Sequence, residues 1–150
     1  MQLITSRHCG DMVFETNVGE HKILNDVPPT PDWGGKGRHP TPPDYFVASL
    51  SSCIAAFVVQ YCNQVGIDSS DMTVEISYEK ATNPAHLRDL AVSINLPNAE
   101  IGARAEAIKR VSGKCTVHET ICKMNTLPIN VYDKSAVREK HDADLRSSAS

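Results

Sequence analysis

Five cysteines stand in this chain of 150 residues, and of its side chains they have the most chemistry to offer. The thiolate is both nucleophile and metal ligand, so each cysteine is weighed by what would stabilise its anion. Cys115 follows Lys114 and lies one helical turn before His118, and Thr116 with Glu119 has the form of a capping box opening a helix. Unpaired N–H groups at a helix entrance favour an anion, so local electrostatics predicts a lowered thiol pKa at Cys115. The plainer reading is a small residue at a helix entrance. Cys53 sits inside a long apolar segment, where a free cysteine serves equally well as a small buried apolar side chain. Cys122 shares a helical face with Cys115 and His118, yet the C-x2-H-x3-C spacing matches no common zinc site. Cys9 has only Arg7 and His8 beside it, and Cys62 has no supporting pattern. There is no phosphate loop, G-x-S-x-G elbow, H-E-x-x-H or dinucleotide fingerprint.

The elements that must position these residues are legible from periodicity. Met12 to Thr16 and His21 to Leu24 flank a short loop containing Gly19 and predict an antiparallel hairpin. A breaker-rich segment follows from Val27 to Pro43, with six prolines and three glycines. A loop of that length inside a domain is usually functional, and here it either lines a site or forms a cover pinned by Trp33. It ends at Thr41-Pro42-Pro43-Asp44, a capping box with proline at the first helical position. The helix then runs without a breaker to Gly66, about 33 Å, and is apolar or small on every face. Such a helix is expected to be buried all round. Alternation at Met72, Val74, Ile76 and Tyr78, and again at Leu90, Val92, Ile94 and Leu96, predicts a second hairpin around Asn83-Pro84. Ile101, Ala105, Ile108 and Val111 have helical spacing up to Gly113, and a short helix starts near Cys115. Leu127, Ile129 and Val131 read as a closing edge strand, and 134–150 as a polar tail. The class is α+β. One chain cannot cover a helix apolar on all sides, so a homodimer is expected.

Composition narrows the partners. The hydrophobic fraction is 41% and the charged fraction 22%, as in ordinary globular domains, and the length suits a single domain. A net charge of −3 provides no basic field for nucleic acid or an anionic membrane. The unbroken apolar run near Ile54 to Val59 falls short of a membrane span. The first seven residues lack the layout of a signal peptide, so a reducing cytoplasm with unpaired thiols is expected.

Two segments together resemble one known family. The run from Thr41 through Ala48-Ser49-Leu50-Ser51-Ser52-Cys53 resembles the cysteine-bearing helix of the OsmC/Ohr family. Lys114-Cys115-Thr116-Val117-His118-Glu119-Thr120-Ile121 resembles that family's C-P-V-H segment, at the appropriate distance along the chain. The resemblance covers residues 7 to 133. It implies an OsmC-like fold over 1–133, with antiparallel sheets around long central helices in an intertwined, cytoplasmic homodimer.

The better-known members reduce organic hydroperoxides with paired cysteines. On that resemblance Cys53 is the peroxidatic thiol and Cys115 the resolving one, the reverse of the local electrostatic reading. The substrate is then a small hydrophobic peroxide, and no bound cofactor or metal is needed. An external dithiol such as a lipoyl group would be the reductant. The family's arginine and glutamate fall nearest Arg7 and Asp44, with Arg38 a second candidate for the arginine. Asp44 is one carbon shorter than glutamate, and Thr116 replaces the usual proline. Asp44 also lies nine residues before Cys53, about 900° of helical rotation and so on the opposite face. The two meet only if the helix start unwinds or across a dimer. These departures leave an alternative: a non-catalytic dimer whose apolar cleft binds a small hydrophobic ligand.

Overall fold

A computed structural model of the chain describes residues 3–124 and 127–130. The expected tail at 134–150 and Val131 of the expected last strand lie outside the described residues.

The N-terminal part is a three-stranded antiparallel sheet, β1 (Thr5–His8), β2 (Phe14–Val18) and β3 (His21–Asn25), in that order. The turn between β2 and β3 needs Gly19, whose φ is +59°. The next segment is organised by Asp26, which is fully buried. Its carboxylate accepts the N–H groups of Val27 (2.8 Å), Arg38 (3.1 Å) and Lys36 (3.3 Å). A side chain at Gly35 would overlap the Val27 carbonyl, so the loop closes over itself only with glycine there. Of the two readings of this loop, the cover pinned by Trp33 is not what the structure has. Trp33 is 57% exposed, and the buried carboxylate does the fastening.

The central helix α1 spans Pro42–Val65 and ends at Gly66 in the left-handed conformation. Asp44 holds its start: one carboxylate oxygen accepts both the Thr41 N–H (2.8 Å) and the Thr41 hydroxyl (2.6 Å). Within one chain the helix is not buried all round. Only Leu50, Ile54, Val58 and Cys62, spaced four apart, are buried, while Phe46, Ala48, Ser49, Ser52 and Ala56 face outward. One chain supplies cover on a single side.

That cover comes from the hairpin β4 (Thr73–Thr82) and β5 (Ala85–Asn95), from α2 (Ala105–Ser112), and from α3 (Thr116–Lys123). Val74 and Ile76 of β4, Ile108 of α2 and Cys115 before α3 join the stripe of α1 to form the core. The fold is thus α+β with antiparallel sheets. Of the expected closing strand, the described residues 127–130 are not assigned as strand. Residues 127–130 pair with no strand among the described residues, and Leu127 and Ile129 are exposed. Pro128 lacks an N–H, and an isolated extended segment has no ladder to hold it. By length and mean hydropathy (1.6 over its best window) α1 passes the test for a membrane span, against the reading of a run too short to cross. Its buried stripe against β4, α2 and α3 is also how the core helix of a soluble fold passes that test.

Candidate functional site

Cys53 lies midway along α1, half-buried, and α3 packs its N-terminus against that stretch. Cys115 is the N-cap of α3, with extended φ/ψ of −63° and 141°, and its Sγ accepts the His118 N–H at 3.3 Å. It is fully buried. The cap sulfur thus takes the third N–H of its helix. The N–H groups of Val117 and Thr116, at the helix start, face Cys53 closely enough to lower the pKa of its thiol.

This arrangement splits the two thiols. The Val117 N–H, acting most strongly, holds the Cys53 thiol pKa below its ordinary value; burial works against it, and the Cys115 thiol and Thr116 N–H reinforce it. Cys115 moves the other way. Burial pushes its pKa up, and proximity to the Cys53 sulfur adds to the rise, while the His118 N–H and, more weakly, that of Val117 oppose it. The two thiols are near enough for each to shift the other's pKa, Cys53 downward and Cys115 upward. One thiolate with one thiol donating to it is the stable form of such a pair.

The sequence expectation that Cys115 would have the lowered pKa is therefore corrected. The helix-entrance field is present, but packing aims it at Cys53. Burial also raises the pKa of Cys62, which belongs to the core of α1. Cys9 and Cys122 are exposed.

The chain does not bring its other expected site residues to Cys53. Arg7, on the exposed sheet, lies 3.3 Å from Glu15, which also holds Lys22. Arg38 is taken up by Asp11 and Asp26: its Nη2 donates to the Asp11 carbonyl (3.1 Å), and its Nε lies 3.6 Å from the Asp26 carboxylate. Asp44 is committed to the helix cap. The Thr41 hydroxyl and N–H hold its pKa down against burial, with Lys80 and Tyr78 adding to the effect. Within one chain each is paired elsewhere, and the groups that lower the Cys53 pKa are backbone N–H groups and a thiol.

Asp26 is the important residue that sequence reasoning missed. Its one signal was a carboxylate directly before Val27-Pro28-Pro29, at the point where a strand gives way to a long loop. Among the described residues no three His, Cys, Asp or Glu side chains converge as a metal site.

Comparison with known proteins gives a consistent picture. A family model described as OsmC-like protein matches residues 35–131. An osmotic stress induced and detoxification response protein from Psychrobacter arcticus 273-4 superposes with a TM-score of 0.70 at 20% identity, covering 80% of this chain and 88% of its own. An OsmC-like protein from Mycoplasma pneumoniae gives 0.65 at 23% identity, over 88% of this chain and 94% of its own. An organic hydroperoxide resistance protein OsmC from Legionella pneumophila gives 0.57 at 20% identity, over 82% and 90% respectively. At these identities the likeness is one of fold. No curated protein matches the sequence.

Proposed function

Since this chain belongs to the OsmC-like protein family, we propose that it reduces organic hydroperoxides through Cys53 and Cys115. The observation that carries this reading is the packing of the α3 start, with Cys115 at its cap, against α1, where the Val117 N–H and the Cys115 thiol lower the pKa of Cys53. The Legionella neighbour, an organic hydroperoxide resistance protein, points the same way.

The chemistry follows from the split pair. The Cys53 thiolate attacks the distal peroxide oxygen; the O–O bond breaks, and the alkoxide leaves to be protonated to an alcohol. Cys53 is now a sulfenic acid. The Cys115 sulfur attacks that sulfur as its own proton passes to the departing hydroxyl, so that water leaves and a disulfide joins the two. Condensation protects Cys53 from further oxidation. An external dithiol, such as a lipoyl group, then exchanges with the disulfide, returns both protein thiols and leaves as its own disulfide. The α3 N–H groups are well placed to hold the thiolate and the leaving oxygen, a service backbone donors perform at other anionic centres.

The reading extends to a homodimer in the reducing cytoplasm. The outward face of α1, from Phe46 through Ser49, Ser52 and Ala56, and the half-exposed Leu90 and Val92 of β5 are apolar or small surfaces that a second copy would cover. Groups closing the mouth of each site then come from two chains.

The test is turnover. Reduced protein is mixed with an alkyl hydroperoxide and dihydrolipoamide, and the same is done with Cys53→Ser. Native turnover with none in the variant is expected, and equal rates would remove the proposal.

A second reading has one observation in its favour. An apolar cleft of about 440 Å³, lined by Phe14, Ile23, Val27, Pro42 and Tyr45, lies between the N-terminal sheet and the start of α1. Neither Cys53 nor Cys115 lines it. A non-catalytic protein would hold a small hydrophobic ligand there, and its thiols would be lost only slowly to peroxide.

A further inference from the structure

A second thiol arrangement lies at the other end of α3. The ring of His118 donates its Nδ1–H to the Gly113 carbonyl at 2.8 Å, since a carbonyl can only accept. That fixes the tautomer and leaves Nε2 as an acceptor with a free lone pair. The sulfur of Cys122 lies 3.8 Å from Nε2 and is exposed to solvent. A nucleophile beside a base, with the base oriented by a third group, is the general pattern of an activated nucleophile. Cys122 is two helical turns, about 10 Å, from Cys115, too far to join the pair at the helix start. The peroxide chemistry has no use for it.

The same chain contains its own control. Cys9 is also exposed, but its thiol donates to the Arg7 carbonyl at 3.6 Å, an oxygen that cannot take a proton.

We propose that Cys122 and His118 form a second thiol site, at which a low-molecular-weight disulfide leaves a mixed disulfide on Cys122. The Cys122 proton passes to His118 Nε2 as the sulfur attacks one sulfur of the disulfide. The S–S bond of the small molecule breaks, and its leaving thiolate takes the proton back from the imidazolium. Cys122 is oxidised, half of the small disulfide is reduced to a free thiol, and no further reagent is consumed. The Cys122 sulfur is exposed, so no channel is required. The side chain of Lys123, next in sequence, pairs with Glu119 at 2.8 Å.

The probe is bis(2-hydroxyethyl) disulfide, which is neutral and so is not steered by Lys114 or Lys123. Fully reduced, full-length protein is exposed to it, and mixed disulfides at Cys9 and Cys122 are timed by peptide mass spectrometry. Cys122 is expected to react about tenfold faster than Cys9 or more, the low end of what a positioned base contributes. In His118→Asn the side-chain amide keeps a donor for the Gly113 carbonyl but has no acceptor in the place of Nε2. There the rate at Cys122 is expected to fall to that of Cys9, with an unchanged circular dichroism spectrum. Equal rates at the two cysteines of the native chain would overturn the proposal, as would an undiminished rate at Cys122 in the variant. Should the variant misfold, the native comparison still decides. Peptides carrying Cys53 and Cys115 are read separately, so either outcome leaves the peroxide reading independently testable.

Discussion

The backbone N–H of Val117 is the strongest influence on the sulfur of Cys53, although the two residues lie on different helices and far apart in sequence. It lowers the pKa of that thiol, while the buried thiol of Cys115, the very residue that caps the same helix, is raised. The reactive character of Cys53 therefore depends on how α3 docks against α1, and a change in docking would be felt first in its protonation.

That relationship sets an order of reactivity with pH. Alkylation requires the thiolate, so each cysteine reacts faster as pH rises through its own pKa. Cys53 has the lowered pKa and Cys115 and Cys62 the raised ones, so Cys53 is expected to be alkylated at lower pH than either. Iodoacetamide labelling across a pH series, resolved by peptide, checks this. Labelling of Cys115 ahead of Cys53 would reverse the assignment of roles.

Asp44 is expected to matter for stability before it matters for chemistry. Its carboxylate caps α1 through Thr41, so Asp44→Ala should cost about 1 kcal/mol, measured by urea unfolding. The sign with pH is fixed by the lowered pKa. A carboxylate with a folded pKa below its unfolded one stabilises above the unfolded value, and that share is lost as pH falls through the folded pKa. The difference between native and variant should accordingly be full at neutral pH and shrink in acid, below about pH 4. An equal difference at both would mean that the charge plays no part in the cap.

Much of this architecture was legible in the chain. Thr41-Pro42-Pro43-Asp44 and Gly66 bracket α1 because caps and breakers are local chemistry, and the alternation through Val74 and Ile76 marks β4 because one face is buried. Strand β1 escaped notice because all four of its residues are exposed and leave no hydrophobic period. Residues 127–130 misled in the opposite direction: their alternation reads as a strand, but a strand needs a neighbour, and sequence does not reveal whether one is there. The site divides in the same way. A helix start near Cys115 was legible, but not its cap: Cys115 itself is the N-cap, Thr116 is the first helical residue, and the expected Thr116–Glu119 box does not form, Glu119 pairing with Lys123 instead. Which sulfur receives the helix-entrance field is a property of packing between α1 and α3, and no spacing encodes it. Asp26 was hidden for the same reason, since two of the three N–H groups it accepts, those of Lys36 and Arg38, come from a loop folded back past Gly35.

The outward face of α1 gives a prediction about assembly. Phe46, Leu90 and Val92 are 42%, 37% and 43% exposed, so leaving them uncovered forgoes somewhat under half of the about 1.5 to 3 kcal/mol that full burial of each contributes. A second copy that buries them should do so over an interface of at least about 2,000 Å². Sedimentation at low micromolar concentration is expected to show a dimer of the 16.4 kDa chain. A folded monomer would sink this part of the proposal.

The most direct test of the central claim is stoichiometric. Fully reduced protein receives one equivalent of an organic hydroperoxide, its remaining thiols are counted, and the non-reduced peptides are mapped by mass spectrometry. Two thiols should vanish per equivalent, with the peptides containing Cys53 and Cys115 joined by a disulfide. Thiols that persist over the same time, or a disulfide that leaves out Cys53, would contradict it.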